Sequence, residues 1–91
     1  MDPFYRVISD QFDANELIRV QPSGECDIWF FSETDFRIYE SGKGAIGQKK
    51  HAVAAELVEF KFPHGGLWHI VADDCNRPVG NLVLALTNRH L

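Results

Sequence analysis

The chain has 91 residues, a formal net charge of −4, 45% hydrophobic residues and 12% aromatic residues. This length predicts one domain, residues 1–91, and the apolar content is high enough for a compact core rather than a disordered chain. An acidic chain has no general attraction for nucleic-acid phosphates or anionic membranes, so neither is an expected partner. No apolar run approaches the ~20 residues of a membrane-spanning helix, and the N-terminus lacks a secretory pattern, so we expect a cytoplasmic protein.

The first third of the chain has the pattern of three short strands separated by turn residues. They are "PFYRVIS" (3–9), "ELIRVQ" (16–21) and "CDIWFFS" (26–32), with "PSGE" forming a turn before the third. The third strand is apolar on both sides at its end, which is typical of a central strand or of one covered on both faces.

The next segment, "SETDFRIYESGKG", predicts one short helical turn near residues 33–40. Ser32 and Asp35 have the spacing of a helix N-terminal cap. Phe36 and Tyr39 are three residues apart, so they share a helix face, and Gly42 can end the turn. We expect this turn to close one end of the β-layers.

The last part of the chain contains three further strands, "LVEFKF" (57–62), "LWHIVAD" (67–73) and "LVLALT" (82–87). Residues 45–56 remain open between a strand, a loop and a short helix. The "PHGG" segment predicts a hairpin in which Phe62 pairs with Trp68, which places His69 opposite Lys61 on a polar face. The predicted fold is a small antiparallel β-sandwich or barrel of about six to eight strands.

The histidines do not have the pattern of a metal site. His64 and His69 are five apart, so on a strand they face opposite ways, and His51 and His90 are distant in sequence. Metal sites need three or four converging ligands, so we expect neither a metal nor a cofactor.

The cysteines do not favour catalysis either. Cys26 lies in a predicted strand and Cys75 in a predicted turn, and both stay reduced in the cytoplasm. Cys75 beside Asp73, Asp74 and His69 makes a weak nucleophile site, because nearby carboxylates oppose thiolate formation.

Residues 42–47, "GKGAIG", match a dinucleotide-binding pattern formally, but no strand is predicted before them. We interpret them as a glycine-rich turn. Lys49, Lys50 and His51 could attract an anion, although a solvated loop is the commoner explanation of such a cluster.

Two motifs resemble an uncharacterised bacterial family, the domain of unknown function numbered eighteen eighty-three, over roughly Asn15 to Thr87. The family patterns are D-x-x-N-F-x-x-Y-x-x-G and P-x-x-G-x-W-x-V-V-x-D. The matching residues here are Ser32, Asp35, Phe36, Tyr39, Gly42, Pro63, Gly66, Trp68, Val71 and Asp73. Ser32 and Asp35 depart from the pattern, and the segment between the motifs lacks the family's aromatic residues. The resemblance implies a small all-β domain, sometimes fused to TIR domains, and implies no catalytic residue.

We therefore expect a non-enzymatic binding or protein-interaction module, with an unknown protein or small molecule as its partner. The candidate binding residues are Asp35, Tyr39, Lys43, His64 and Trp68, where the helical turn meets the "PHGG" loop. Two alternatives stay open: a small metal-binding protein or enzyme that uses His and Asp residues, and a structural homo-oligomer.

Overall fold

The computed structural model describes residues 6–73 and 84–89, which form seven strands and one helix. The strands make two antiparallel sheets, so the prediction of a small all-β sandwich with one short helix is confirmed. The elements are β1 (Arg6–Phe12), β2 (Leu17–Pro22), β3 (Cys26–Ser32), α1 (Glu33–Glu40), β4 (Gln48–Ala52), β5 (Val58–Lys61), β6 (Gly66–Asp73) and β7 (Leu84–Arg89).

The first sheet has the strand order β1-β6-β3-β4 and the second has the order β5-β2-β7. The apolar faces of both sheets point at each other, because alternate side chains of a strand lie on the same face. Strand β3 is central, as its apolar pattern predicted. The core between the sheets comprises Phe12, Ile18, Val20, Cys26, Ile28, Phe30, Ala52, Val58, Phe60, Phe62, Trp68, Ile70 and Ala72.

Helix α1 covers the outer face of the first sheet. Ser32 Oγ accepts a hydrogen bond from the Asp35 N–H at 3.3 Å, which confirms the predicted cap. Phe36 is buried against Phe31 and Val71, and the Tyr39 ring packs on the same cluster. A second, smaller core therefore lies outside the sandwich, under the helix.

The predicted hairpin between β5 and β6 is wrong. Strand β5 pairs with β2, with Phe60 opposite Ile18, whereas β6 pairs with β1 and β3. The Phe62 N–H donates to the Glu16 carbonyl at 3.0 Å, so the chain is still bound to the second sheet at this point. Residues 62–65 then cross to the first sheet. Phe62 and Trp68 do meet, with ring centroids 5.1 Å apart, but across the core rather than within one sheet.

Residues 45–56, which the sequence left open, contain strand β4 and a turn. Gln48 lies opposite Phe30 and Ala52 opposite Cys26, so the segment is an added edge strand on β3. Its helix propensity is small compared with the backbone hydrogen bonds that pairing with β3 provides.

We predict that Phe62→Ala lowers the free energy of unfolding by about 3–5 kcal/mol, because it opens a cavity in the core. Phe62 is fully buried and stacks on Phe12 at 4.2 Å. Urea denaturation followed by tryptophan fluorescence measures the change. Leu57→Ala, at a side chain that is 60% exposed, is the control and should change stability by less than about 0.5 kcal/mol. Equal losses in both variants would contradict the packing described here.

Candidate functional site

A pocket of about 450 Å³ opens at one end of the sandwich, where the start of α1, the start of β4 and the 62–65 crossover meet. It draws residues from both sheets, because Phe30 and Trp68 belong to the first sheet and Phe60 and Lys61 to the second. The lining residues are Phe30, Ser32, Asp35, Gly47, Gln48, Phe60, Lys61, Pro63, His64 and Trp68.

The pocket has aromatic walls and a polar rim. Phe30 and Phe60 are stacked with ring centroids 4.3 Å apart, and the Trp68 ring lies 5.7 Å from that of Phe60. The Trp68 indole N–H donates to the His64 carbonyl at 3.1 Å, which fixes the indole against the crossover. The His64 ring lies 4.9 Å from the indole. Such a pocket suits an apolar group with a polar end.

The structure brings three of the five predicted binding residues together at this pocket: Asp35, His64 and Trp68. Tyr39 lies elsewhere, because it is one helical turn, or roughly 6 Å, further along α1 than Asp35. Its hydroxyl donates to Asp73 Oδ2 at 2.5 Å. Lys43 is exposed in the loop between α1 and β4 and does not line the pocket. Binding by any of these five residues stays a prediction.

The pocket adjoins an unpaired sheet edge. Strand β4 is the last strand of the first sheet, and no strand of the described part of the chain pairs with its outer side. Gly47 and Gln48 line the pocket, and Gln48 is also the first residue of β4. The pocket therefore continues directly into a row of open backbone groups.

Hydrogen bonds at two places indicate which backbone groups of β4 face outward. Val53 follows β4 directly, and its N–H donates to Glu56 Oε1 at 3.0 Å, so it points away from β3. Because the backbone groups of alternate strand residues point to the same side, we infer that those of Lys49 and His51 also face outward.

The opposite edge of the sheet leads to the same result. The Gln11 N–H donates to Asp10 Oδ1 at 2.8 Å, so we infer that the backbone groups of Gln11 face the open side of β1. The backbone groups of Asp10, the preceding residue, then face β6 and hydrogen-bond to Trp68. Along each strand, the backbone groups of successive residues point to alternate sides. When this rule is followed through the paired residues from β6 to β3 and from β3 to β4, the backbone groups of Lys49 again face outward.

The segment around β4 is also where large apolar side chains are exposed in the described part of the chain. Ile46, Val53 and Leu57 are 59%, 52% and 60% exposed. Ile46 precedes β4 and Val53 follows it, so an aliphatic side chain lies at each end of the open edge. Lys49 Nζ lies 5.5 Å from the centre of the Trp29 ring and 4.0 Å from Asp27 Oδ2.

His51, on β4, bridges two carboxylates. Its Nδ1 lies 2.7 Å from Asp27 Oδ1 and its Nε2 lies 2.8 Å from Glu25 Oε2. Only the imidazolium form can donate from both nitrogens. The hydrogen bond to Asp27, followed by that to Glu25, raises the pKa of His51 above its ordinary value.

The sequence-based placement of His69 opposite Lys61 is wrong. His69 lies opposite Ser9 on one side and Phe31 on the other, and it is buried beneath α1. Its Nδ1 is 2.6 Å from Ser9 Oγ, and its Nε2 is 2.7 Å from Glu33 Oε2. Sequence reasoning missed Ser9 and Glu33. The available signal was that His69 shares a strand face with Val71, an apolar face that the helix had to cover.

Within residues 6–73 and 84–89, no three His, Cys, Asp or Glu side chains are arranged to hold a metal ion. Cys26 is fully buried on β3. The predictions on Cys75, Asp74 and His90 fall outside the described residues. In the same described ranges, no helix has the length and apolarity needed to cross a bilayer.

No family model, curated protein or solved structure matches this chain. The resemblance to the bacterial family of unknown function therefore stays a prediction.

We predict that Asp27→Asn lowers the pKa of His51, because the variant loses the carboxylate with the larger effect on the imidazolium. A proton NMR titration of the imidazole signals measures this shift. Glu59→Gln, which removes a carboxylate from β5 of the second sheet, is the control and should leave the titration unchanged. An unchanged His51 titration in Asp27→Asn would contradict the bridge.

The sign of the stability effect follows from the direction of the pKa shift. Since the folded pKa of His51 lies above the unfolded value of about 6.5, its contribution to stability is complete below that pH. The contribution is lost as the pH rises through the folded pKa. His51→Gln should therefore be destabilising at pH 5.5 relative to the wild type, and the difference should shrink towards alkaline pH.

Proposed function

We propose that the protein is a protein-interaction module that binds an extended, acidic peptide segment of a partner along the open edge of β4. One side chain of that segment occupies the adjoining pocket. The observation that supports this most directly is the continuity of edge and pocket through Gly47 and Gln48. Resemblance to the uncharacterised bacterial family is compatible with an interaction role.

Strand addition supplies the main-chain part of the recognition. An added strand satisfies the N–H and C=O groups of Lys49 and His51 that otherwise face solvent. The exposed Ile46 and Val53 at the two ends of β4 offer apolar contacts to its side chains. Each end of the peptide segment is thus held by more than backbone hydrogen bonds.

The local charge favours an acidic partner. Lys43, Lys49 and Lys50 are all exposed on or just before β4, and Lys61 lies at the pocket, although the chain as a whole carries a net charge of −4. A second copy paired through the same edge brings these lysines together, and like charges across paired strands are unfavourable. This argues for a different chain as the partner rather than for a homo-oligomer.

The pocket supports an anchoring side chain that is aromatic or long and aliphatic. Phe30, Phe60 and Trp68 provide apolar contacts, and the rim carries Asp35 and His64 for a polar tip. Anchor residues in such pockets supply much of the binding energy of peptide complexes. Asp35, His64 and Trp68 therefore keep the binding role expected from the sequence. Tyr39 has no part in this proposal, and Lys43 contributes only charge.

We predict that selection from a displayed library of linear peptides enriches acidic sequences that carry one aromatic or aliphatic anchor. The Lys49→Pro variant should bind these peptides at least about tenfold more weakly, because proline removes an outward N–H. Its stability should change little, since proline is tolerated on an edge strand. Calorimetric titration with the selected peptides measures the affinity.

Gln11→Pro is the matched control, because it makes the same change at the opposite edge of the same sheet. It should leave peptide affinity unchanged. Unaltered binding by Lys49→Pro would exclude strand addition at β4, and weakened binding by His64→Ala would identify the pocket as part of the site. A stable dimer in light scattering that Lys49→Pro dissociates would instead support a homo-oligomer.

A further inference from the structure

Three side chains on the outer face of the first sheet form a hydrogen-bonded chain that the proposed peptide site does not use. Ser9 Oγ lies 2.6 Å from His69 Nδ1, and His69 Nε2 lies 2.7 Å from Glu33 Oε2. The residues come from β1, β6 and the first turn of α1, so only the folded chain assembles them. A hydroxyl, an imidazole and a carboxylate in this order are the parts of an activated serine nucleophile.

The ionised Glu33 carboxylate can only accept, so His69 Nε2–H donates to it. In the neutral form of His69, Nδ1 carries a lone pair and accepts a hydrogen bond from the Ser9 hydroxyl. This neutral form is the one that can act as a base towards Ser9. The hydrogen bond from His69, together with Arg37, lowers the pKa of Glu33, which keeps the carboxylate ionised at neutral pH.

The imidazole is held rigidly while the hydroxyl stays accessible. The Phe36 ring stacks on the His69 ring with centroids 3.9 Å apart and an interplanar angle of 14°. Arg37 Nε lies 2.7 Å from Glu33 Oε1 and holds the carboxylate in place. His69 is only 5% exposed, whereas Ser9 is exposed. His69 is therefore shielded from solvent, whereas Ser9 is exposed to solvent.

The backbone at Ser9 offers a further group. Ser9 lies two residues before Gln11, whose N–H we infer to face the open side of β1. By strand alternation the Ser9 N–H faces the same open side. A backbone N–H beside a nucleophile can stabilise the negative oxygen that forms when a carbonyl is attacked. This N–H has no partner strand among the described residues to compete for it.

We propose that Ser9 is a nucleophile that cleaves carboxylic esters, with His69 as its general base and Glu33 as the positioning residue. Ser9 Oγ attacks the ester carbonyl carbon and its proton passes to His69 Nδ1. The carbon–oxygen bond to the alcohol breaks, and His69 returns the proton to the leaving oxygen. Water, deprotonated by His69, then attacks the acyl-Ser9 carbonyl. The bond between the acyl carbon and Ser9 Oγ breaks, the carboxylic acid leaves, and His69 returns the proton to Oγ, which restores the hydroxyl. Because Ser9 is exposed, the proposed substrates are small or extended esters.

The same contacts would also arise if Ser9 and Glu33 served only to satisfy a buried imidazole. The two roles differ in reactivity, since a serine with merely structural hydrogen bonds does not react faster than other exposed serines. The test therefore measures covalent labelling of Ser9 and compares it with Ser41. Ser41 is exposed and its hydroxyl donates to the Ile38 carbonyl at 2.7 Å.

We predict that a fluorophosphonate probe forms one adduct on the intact protein, with loss of fluoride, and that peptide mass mapping places it on Ser9. Labelling at Ser9 should be at least about 100-fold faster than at Ser41. Hydrolysis of p-nitrophenyl acetate should fall by at least about tenfold in Ser9→Ala and remain unchanged in Ser41→Ala.

The Glu33→Gln variant tests whether Glu33 positions His69 as a base or only satisfies a buried imidazole. It should slow labelling of Ser9 by at least about tenfold, because the amide can also accept or donate and no longer fixes the tautomer. Nitrogen NMR of the His69 ring should show the proton on Nε2 in the wild type and a mixture of tautomers in the variant. A Ser9 that labels no faster than Ser41, or labelling that is unchanged in Glu33→Gln, would overturn the proposal.

Discussion

The packing of aromatic side chains between the two sheets is the contact on which the rest of this structure depends. Phe62 is fully buried where the chain leaves the second sheet, and it meets both Phe12 and Trp68. This contact holds the crossover of residues 62–65 in place. Pro63 and His64 of this crossover line the pocket, so the same contact positions part of the pocket wall.

Because side chains alternate along a strand, functional side chains lie on both faces of the first sheet. Trp68 points into the core and reaches the pocket, while its neighbour His69 points outward beneath α1. One strand, β6, therefore supplies a residue to the proposed peptide site and another to the proposed nucleophile site. The Trp68 and His69 side chains point to opposite faces of the sheet, so each can be substituted without removing the other.

In the proposed function, the open edge of β4 serves both stability and recognition. Exposed lysines on an edge strand discourage pairing with a second copy of the same chain. In the proposal the same lysines attract an acidic segment of another chain. Asp27 offsets the charge of Lys49, whose Nζ lies 4.0 Å from Asp27 Oδ2, so most of the attraction is assigned to Lys43, Lys50 and Lys61. Lys50 lies opposite Ile28, whose side chain points to the core, and so belongs to the pocket side of the strand.

The sequence by itself determined the features that depend on neighbours within a few positions. The cap at Ser32, the burial of Phe36 and the full extent of β3 follow from local spacing and strand alternation. These patterns fix which side of an element is apolar. They therefore sufficed to predict a β-sandwich with one helix.

Only the tertiary structure decided which apolar face packs against which other apolar face. A hairpin and a crossover both bury Phe60 and Trp68, so alternation could not distinguish pairing within a sheet from packing across the core. For a similar reason β4 could not be predicted. Its local propensity favours a helix, and only the hydrogen bonds to β3 make it a strand. The hydrogen-bond partners of His69 could not be predicted either, because Ser9 and Glu33 are 60 and 36 residues away in the chain. Such contacts gain their free energy only once distant segments are assembled, and no local pattern records them.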